Sequence, residues 1–400
     1  MSVNENVKIL ESISGLYLGG YHAGIKNSGT KKDIAYFFAP QATGIAGVFT
    51  KNNFFAPSVA WSRNVVKSGK AHAIIVNSGN ANAGNGRRGE EDVEMTAREA
   101  AALLGIRPAE VAVASTGKIG VPMPMEKFIP GVQQMLAHWK QTDARAAAEA
   151  IMTTDTVMKL AGSEFIAGSE PCVVAGMTKG SGMIAPNMAT TLTFIATDLN
   201  WSHDVLQHCL REVNEATFNM VSVDTDTSSN DMVLLLATGA KNVPVTTEHR
   251  TQFVEALFHV MKSLAVQIVQ DGEGATKLIE ARVSGALNVD EARRMAKSII
   301  DSPLVKTAVC GEDPNWGRVL AAAGKVENTS FAQEKVSLSF GTELIVVDGE
   351  PLCQPREVYA AQMKGREVLI ALDLNQGEHE ATAWGCDLTH GYIDINTEYS

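Results

Sequence analysis

The segment KGSGMIAPNMAT, residues 179–190, ends on Thr190, which opens an apolar, β-branched run. A threonine hydroxyl is a weak nucleophile unless a base lies beside it, and the α-amine of a chain that begins with that threonine can supply the base. An unperturbed α-amine has a pKa of about 8, which suits a base at neutral pH. The pattern therefore predicts nucleophilic catalysis by Thr190, provided that the chain is cut after Ala189.

The cut between Ala189 and Thr190 can be made by the chain itself. The Thr190 hydroxyl can attack the Ala189 carbonyl if the turn at Pro186 and Asn187 strains that peptide bond. The alternative is that Thr190 and Thr191 simply begin a β-strand, where threonine is favoured. On pattern alone the strand start is the simpler interpretation.

Five runs of glycine and small polar residues mark places where the backbone can pack closely against another chain segment or a ligand. They are residues 77–86, 115–120, 179–182, 271–274 and 311–317. Each alone is a turn, but all five fall at the ends of predicted elements, where sites are built. Residues 77–86 lack the GxGxxG order and the Lys-Ser/Thr ending of a phosphate loop, so the run does not predict a nucleotide site.

The secondary-structure elements that position these runs are short β-branched segments, which predict strands, alternating with segments of helical periodicity. Strands are predicted at 73–77, 111–114, 191–197, 231–237, 336–340, 343–347, 367–372 and 380–386. Helices are predicted at 90–104, 143–152, 203–218, 248–269 and 291–300, with Ser202 and Asp290 as N-caps. We expect an α/β fold of layers with mixed sheets rather than one parallel doubly wound sheet. A length of 400 residues predicts two lobes.

Composition excludes several classes of protein. A net charge of −11 argues against nucleic acid and anionic membrane as partners. The first residues show no signal peptide, and the purely aliphatic runs are too short to span a bilayer. The odd number of widely spaced cysteines and the scattered histidines predict neither disulfides nor a metal site. A soluble, cytoplasmic protein is expected.

The segment at 179–190 resembles the self-processing signature of the ornithine acetyltransferase (glutamate N-acetyltransferase) family of arginine biosynthesis. The other matching segments are NSGNANA at 77–83, STG at 115–117, PMEK at 124–127, MTTDT at 152–156, SVDTDTSSND at 222–231, DGEGATK at 271–277, GEDPNWGR at 311–318 and IN at 395–396. The resemblance covers nearly the whole chain. The departures are Thr225, where glycine is expected, Ser229, where threonine is expected, and a shortened tail at 398–400.

The resemblance implies a chain cut into an α chain, residues 1–189, and a β chain, residues 190–400, which pair into an α2β2 heterotetramer. Thr190 would take the acetyl group from N2-acetyl-L-ornithine and pass it to L-glutamate through an acetyl-Thr190 intermediate. No cofactor is implied. The sequence holds no recognisable coenzyme A motif, so it leaves open whether acetyl-CoA serves as a second acetyl donor.

Thr116 and Gly117 match the oxyanion hole of that family. They follow an apolar predicted strand at a turn, where a hydroxyl and a glycine N–H can point at a developing negative oxygen. The alternative is a hydrogen-bonded turn with glycine at positive φ. The resemblance favours the oxyanion hole.

The resemblance also implies the substrate-binding residues, which are Thr153, Lys179, Thr190, Glu273, Asn396 and Ser400. Lys179 would hold the substrate carboxylate and Glu273 the amino group, although either could be an ordinary solvated loop residue. Thr154 is an equally placed rival to Thr153.

Two other functions remain as alternatives. A hydrolase, either an amidase or an aminopeptidase, would use the same N-terminal threonine with water as the acceptor. A glycine-rich binding protein would have no cut at all. Acetylation of glutamate distinguishes the transferase from the hydrolase, and the cut distinguishes both from the binding protein.

Overall fold

A computed structural model describes residues 1–26, 29–185 and 191–397. The chain forms two compact units. Of the described residues, unit 1 comprises those within 1–180, 186–219 and 227–265, and unit 2 comprises those within 181–185, 220–226 and 266–400. The chain thus passes from one unit to the other within the glycine run at 179–182.

Unit 1 holds two mixed sheets. The four-stranded sheet has the order β1-β2-β4-β5, and the five-stranded sheet has the order β3-β10-β8-β7-β6. Their strands are β1 (Tyr17–Tyr21), β2 (Ile34–Phe38), β3 (Gly44–Phe49), β4 (Ala73–Asn80), β5 (Val111–Lys118), β6 (Lys159–Ala167), β7 (Glu170–Lys179), β8 (Leu192–Leu199) and β10 (Met232–Lys241). In each sheet one strand pair is parallel, β4 with β5 and β8 with β10, and the remaining pairs are antiparallel.

The helices of unit 1 cover these sheets. They are α1 (Val3–Glu11), α2 (Pro57–Lys67), α3 (Gly86–Leu104), α4 (Met125–Leu136), α5 (Ala144–Ile151), α6 (His203–Ala216) and most of α7 (Thr247–Gln270), with a 3-10 turn at Pro108–Glu110. Alternate residues of β2 face opposite sides. Phe37 joins a core shared with the five-stranded sheet, where its ring lies 5.0 Å from that of Phe194, while Tyr36 and Phe38 pack with residues of α3 and α4.

Unit 2 is built around a seven-stranded mixed sheet of order β14-β13-β12-β15-β11-β16-β9. Its strands are β9 (Val221–Ser222), β11 (Leu278–Ala286), β12 (Ser337–Phe340), β13 (Glu343–Val347), β14 (Glu350–Pro351), β15 (Glu367–Asp373) and β16 (His379–Cys386). The helices that follow α7 are α8 (Val289–Asp301), α9 (Pro303–Cys310), α10 (Trp316–Gly324), α11 (Arg356–Ala361) and α12 (His390–Thr397). A further 3-10 turn spans Phe218–Met220.

The fold class is confirmed as α/β layers with mixed sheets. Every predicted strand and helix is present, with ends that differ by a few residues. The N-cap prediction at Asp290 was wrong, because Asn288 caps α8 through its side chain and Asp290 lies in the first turn. Ser202 is the N-cap of α6, but its side chain accepts no cap hydrogen bond from the backbone N–H groups of the first turn.

Helix α7 is long and apolar enough to cross a bilayer by length and composition alone. Half of its most apolar stretch is buried inside the protein. Its buried residues recur at helical spacing, and Phe253 packs its ring 5.2 Å from that of Trp201. One such helix is weak evidence for a span, since the core helix of a globular protein has the same character.

Candidate active site

Thr116 and Gly117 lie at the end of β5, where it runs parallel to β4. Gly117 is paired with Gly79 and has a φ of +132°. A Cβ atom on Gly117 would lie 2.3 Å from the backbone carbon of Gly79 and 2.4 Å from the backbone nitrogen of Asn80. Only glycine fits both the conformation and the approach. Gly117 of the STG motif therefore lets the end of β4, where the NSGNANA motif begins, lie directly against the end of β5.

Lys179 is the last residue of β7, and its side chain reaches Thr116. The Lys179 Nζ and Thr116 Oγ1 atoms are 3.3 Å apart. Lys179 also lies opposite Leu192 in the antiparallel pair of β7 and β8. Leu192 is two residues after Thr190 in the sequence. The structure thus brings two predicted site residues together at the sheet edge from which β8 starts.

Asp155 connects two further segments of the predicted site. Its carboxylate accepts the Thr153 N–H at 2.8 Å and the Gly180 N–H at 2.7 Å, and it pairs with the Lys159 ammonium at 2.6 Å. Both side chains of the ion pair are fully buried. Although burial acts to raise it, the Lys159 and Lys179 charges and the hydrogen bonds lower the pKa of Asp155 to about 2. The Asp155 carboxylate therefore fixes Thr153 relative to Gly180, the residue after Lys179.

Asn230 performs a similar linking role. Its side-chain amide donates to the Ala81 carbonyl at 2.6 Å and to the Ser115 carbonyl at 2.8 Å. One buried side chain thus joins the NSGNANA loop to the residue before Thr116. The positions of both strand ends depend on it.

The start of β8 is held by threonines. The Thr191 hydroxyl lies 2.8 Å from that of Thr193, which lies 2.7 Å from that of Thr178. The Thr191 carbonyl accepts the Met232 N–H at 2.9 Å. The residue that directly follows Thr190 is therefore anchored in the sheet.

Asp231 is a buried carboxyl at the same sheet edge, directly before Met232. Burial raises its pKa well above the usual range, against the lowering effect of Ser228 and of the Lys179 charge. Its Oδ2 atom has no hydrogen-bond partner in the part of the chain that the structure describes. A buried carboxyl with a raised pKa thus lies close to the anchored Thr191.

Glu273 and Asn396 meet in unit 2. The Asn396 amide donates to Glu273 Oε2 at 3.0 Å, and the Glu273 N–H donates to the Ser181 carbonyl at 2.9 Å. A Cβ atom on Gly182 would lie 2.3 Å from the Glu273 carboxylate. Gly182, in the glycine run after Lys179, is therefore required in unit 2, because any side chain there would overlap this half-buried carboxylate.

The glycine on the other side of Glu273 is also required by packing. Gly274 has a φ of +71°, and a Cβ atom there would lie 2.2 Å from the backbone nitrogen of Tyr392. Asp224 holds the chain after Gly182 by accepting the Met183 N–H at 2.6 Å and the Ile184 N–H at 2.8 Å. Because Gly274 packs against the Tyr392 backbone, the loop that carries Glu273 is fixed by packing and is not a solvated turn.

The remaining predicted residues are placed less directly. Ala189, Thr190 and Ser400 lie outside the described residues. Thr153 and Thr154 both lie in the loop after α5 and are half-buried, so burial does not distinguish them.

Asp155 and Asn230 were missed by the sequence reasoning. Both lie inside motifs that resemble the family, and that position was the available signal. Within the described ranges, no group of three or more metal-ligating side chains occurs.

Residues 17–400 match the ArgJ family. A protein of Symbiobacterium thermophilum named arginine biosynthesis bifunctional protein ArgJ is 44% identical over 390 residues, which cover 96% of this chain and 97% of the relative. A protein of the same name from Staphylococcus epidermidis is 43% identical over 392 residues, with the same coverage.

Two solved structures are also similar. The arginine biosynthesis bifunctional protein from Bacillus halodurans is 42% identical, with a TM-score of 0.49, and covers 51% of this chain and 97% of its own. Ornithine acetyltransferase from Mycobacterium tuberculosis, solved with ornithine, is 38% identical, with a TM-score of 0.40, and covers 44% of this chain and 94% of its own.

Proposed function

The chain belongs to the ArgJ family and is an acetyltransferase of arginine biosynthesis, and from that premise we propose how its residues perform the transfer. The donor is N2-acetyl-L-ornithine, the acceptor is L-glutamate, and Thr190 carries the acetyl group between them. The observation that carries this proposal is the hydrogen bond between Lys179 and Thr116, because Lys179 is paired with Leu192, the first residue of β8 and the second residue after Thr190.

Each half-reaction makes and breaks one acyl bond. The Thr190 hydroxyl attacks the acetyl carbonyl of acetylornithine, the amide C–N bond breaks, and the hydroxyl proton passes through the Thr190 α-amine to the leaving amine of ornithine. The glutamate amine then attacks the acetyl ester, the ester C–O bond breaks, and a proton from the attacking amine returns through the Thr190 α-amine to the Thr190 oxygen. Both steps put negative charge on the carbonyl oxygen, which Thr116 and the Gly117 N–H stabilise.

Self-cleavage at the Ala189–Thr190 bond is the step that exposes the amine. It leaves the fragments 1–189 and 190–400 interwoven, because β7 precedes the cut and pairs with β8, which follows it. Likewise β3 precedes the cut and pairs with β10. Separating the fragments would require breaking two buried strand pairs of one sheet, so we infer that they stay together. The pairing of two such products into an α2β2 heterotetramer belongs to the same proposal.

The substrate-binding roles follow from charge. Lys179 offers a cation to a carboxylate, and Glu273, held by Asn396, offers an anion to an amino group. Thr153 and Ser400 complete the proposed set. Acetyl-CoA as a second donor is consistent with the word bifunctional in the relatives' names. No cofactor and no nucleic-acid or membrane partner is proposed, and the cytoplasm is the proposed location.

The test uses purified enzyme and acetyl-labelled acetylornithine. Labelled N-acetylglutamate should appear at the rate at which ornithine is released, and release should accelerate with glutamate. Release of free acetate at an equal rate with and without glutamate would instead support an N-terminal-threonine amidase or aminopeptidase.

A further inference from the structure

A cavity of about 470 Å³ lies in unit 1, and its lining contains none of the predicted catalytic or substrate-binding residues. It is formed by β3, by the loop that follows β3 as far as Phe55, and by the facing sides of α2 and α6. This volume is in the range of small-molecule sites. The cavity takes no part in the proposed acetyl transfer.

The charge of the cavity is opposite to that of the protein. Its lining includes the cations Lys51, Arg63, Lys67 and Arg211, and no Asp or Glu belongs to it. The whole chain carries a net charge of −11. In the described residues Arg63, Lys67 and Arg211 form no ion pair with a carboxylate. A concave concentration of unneutralised cations in an acidic protein favours an anionic ligand.

The cations are presented by a fixed frame. Gln207 makes two hydrogen bonds with the backbone of Gly47, at 3.0 and 3.1 Å, and His203 Nδ1 lies 2.7 Å from the Ile45 carbonyl. These contacts clamp α6 onto β3. Arg211 follows His203 and Gln207 at steps of four residues, which places it on the same face of the helix.

Arg63 is held by aromatic rings. Its guanidinium carbon lies 5.7 Å from the ring centroid of Phe49 and 5.2 Å from that of Phe55, and the group donates to the Thr50 carbonyl at 3.2 Å. Phe55 is 44% exposed, so part of its ring is available to a ligand. An arginine fixed in this way offers its remaining N–H groups to phosphate oxygens, and the exposed ring offers a stacking surface.

The loop at the rim of the cavity, residues 50–56, is fixed by hydrogen bonds to residues 227–229. The Thr50 hydroxyl donates to the Ser228 carbonyl at 2.7 Å, the Asn52 amide donates to the Thr227 carbonyl at 2.7 Å, and the Ala56 N–H donates to the Ser229 carbonyl at 2.9 Å. The loop after β3 is therefore preformed, as expected of a binding site.

We propose that this cavity binds a nucleoside diphosphate group, with its phosphates on Arg63, Lys67 and Arg211 and its base against Phe55. Arg63 and Lys67 are four residues apart on α2 and approach from one side, while Arg211 approaches from α6. Two phosphates match this spread of charge better than one. Strand β3 lies two strand positions from β8, or about 10 Å, so a bound ligand would lie near the transfer site without occupying it.

The test is calorimetric titration of the purified enzyme with ADP, coenzyme A and inorganic phosphate at low salt. ADP should bind saturably, at least tenfold more tightly than inorganic phosphate, and coenzyme A should displace it if the natural ligand is a coenzyme. The Lys67→Gln/Arg211→Gln variant should weaken ADP binding at least tenfold. Its matched control is Lys8→Gln/Lys325→Gln, which removes two exposed cations elsewhere and should bind ADP normally.

Acetyl transfer from acetylornithine to glutamate should be unchanged in the Lys67→Gln/Arg211→Gln variant, and a Thr190→Ala protein should still bind ADP. Failure of the ADP-binding proposal can therefore be distinguished from failure of the proposed acetyl transfer. No saturable ADP binding at millimolar concentration, or equal binding by the cavity variant and its control, would overturn the proposal. Equal affinities for ADP and inorganic phosphate would overturn the assignment of a nucleotide.

Discussion

Lys179 donates a hydrogen bond to Thr116, with 3.3 Å between Nζ and Oγ1. An ammonium group has no acceptor, so the hydroxyl oxygen must accept this bond. The hydroxyl hydrogen is then left to point elsewhere, as an oxyanion donor requires. The contact also joins the last residue of β7 to the end of β5, so that a single interaction links the predicted cation to the predicted oxyanion hole.

Replacing Thr116 by alanine removes that donor while leaving the Gly117 backbone in place. The account predicts a fall in kcat of about two orders of magnitude with little change in KM, because the charge that Thr116 stabilises exists only in the transition states. Thr116→Ser keeps the hydroxyl and is the matched control. Steady-state kinetics of both variants provide the check, and a rise in KM alone would reassign Thr116 to ground-state binding.

Gly117→Ala tests the close approach of the two strand ends. A methyl group there would lie 2.3 Å from the Gly79 backbone, and the φ of +132° disfavours any side chain. We expect a loss of activity together with a lower thermal unfolding temperature. Gly120→Ala is the control, since its φ of +76° is also positive but no atom lies within 4 Å of a Cβ there. Equal unfolding temperatures for the two variants would contradict the packing argument.

Asp155→Asn leaves the Lys159 ammonium buried without its counter-charge. Breaking such a pair costs roughly 3–5 kcal/mol of unfolding free energy. Urea denaturation at neutral pH measures the loss, and Asp155→Asn combined with Lys159→Met should recover part of it because no charge is then stranded. A single variant as stable as the parent protein would remove Asp155 from its positioning role.

The ionisation of Asp155 also predicts a dependence on pH. Its pKa of about 2 in the folded protein lies below its unfolded value of about 3.9. The stabilisation is therefore complete above about pH 4 and is lost as the pH falls through about 2. Comparing acid unfolding of the parent with that of the double variant isolates this contribution, and identical acid profiles would contradict it.

Glu273→Gln keeps the size of the side chain and deletes its charge. If Glu273 holds the amino group of the substrate, the binding of N-acetylornithine should weaken more than tenfold while self-cleavage survives. Calorimetric titration gives the affinity, and Glu357→Gln, at an exposed glutamate of unit 2, controls for net charge. Unchanged affinity would return Glu273 to a structural role, and loss of the cut would assign it to the precursor's geometry.

Much of the fold could be predicted because its signals are local. The β-branched run after Thr190 predicted β8, and the periodicity of residues 248–269 predicted α7. Helix α1 was missed although Ser2 and Glu5 form a capping box, and α2 was missed although Pro57 occupies its first turn. In both cases the signal was present but short.

The site was less predictable, because its connections are long-range. Motif resemblance selected Thr116, Lys179 and Glu273, but no spacing in the sequence shows that Asp155 holds Gly180 or that Asn230 bridges Ala81 and Ser115. Those contacts depend on strand order, which follows from the packing of whole sheets. The cationic cavity was missed for the same reason, since its arginines and lysines come from two distant helices and a loop.

Intact-mass spectrometry of the purified protein, beside its Thr190→Ala variant, tests the central claim most directly. The account predicts that the parent protein gives two masses, those of residues 1–189 and 190–400, while the variant gives one mass for the uncut chain and transfers no acetyl group. A single uncut mass for an active parent protein would contradict the account, as would a Thr190→Ala chain still cut after Ala189.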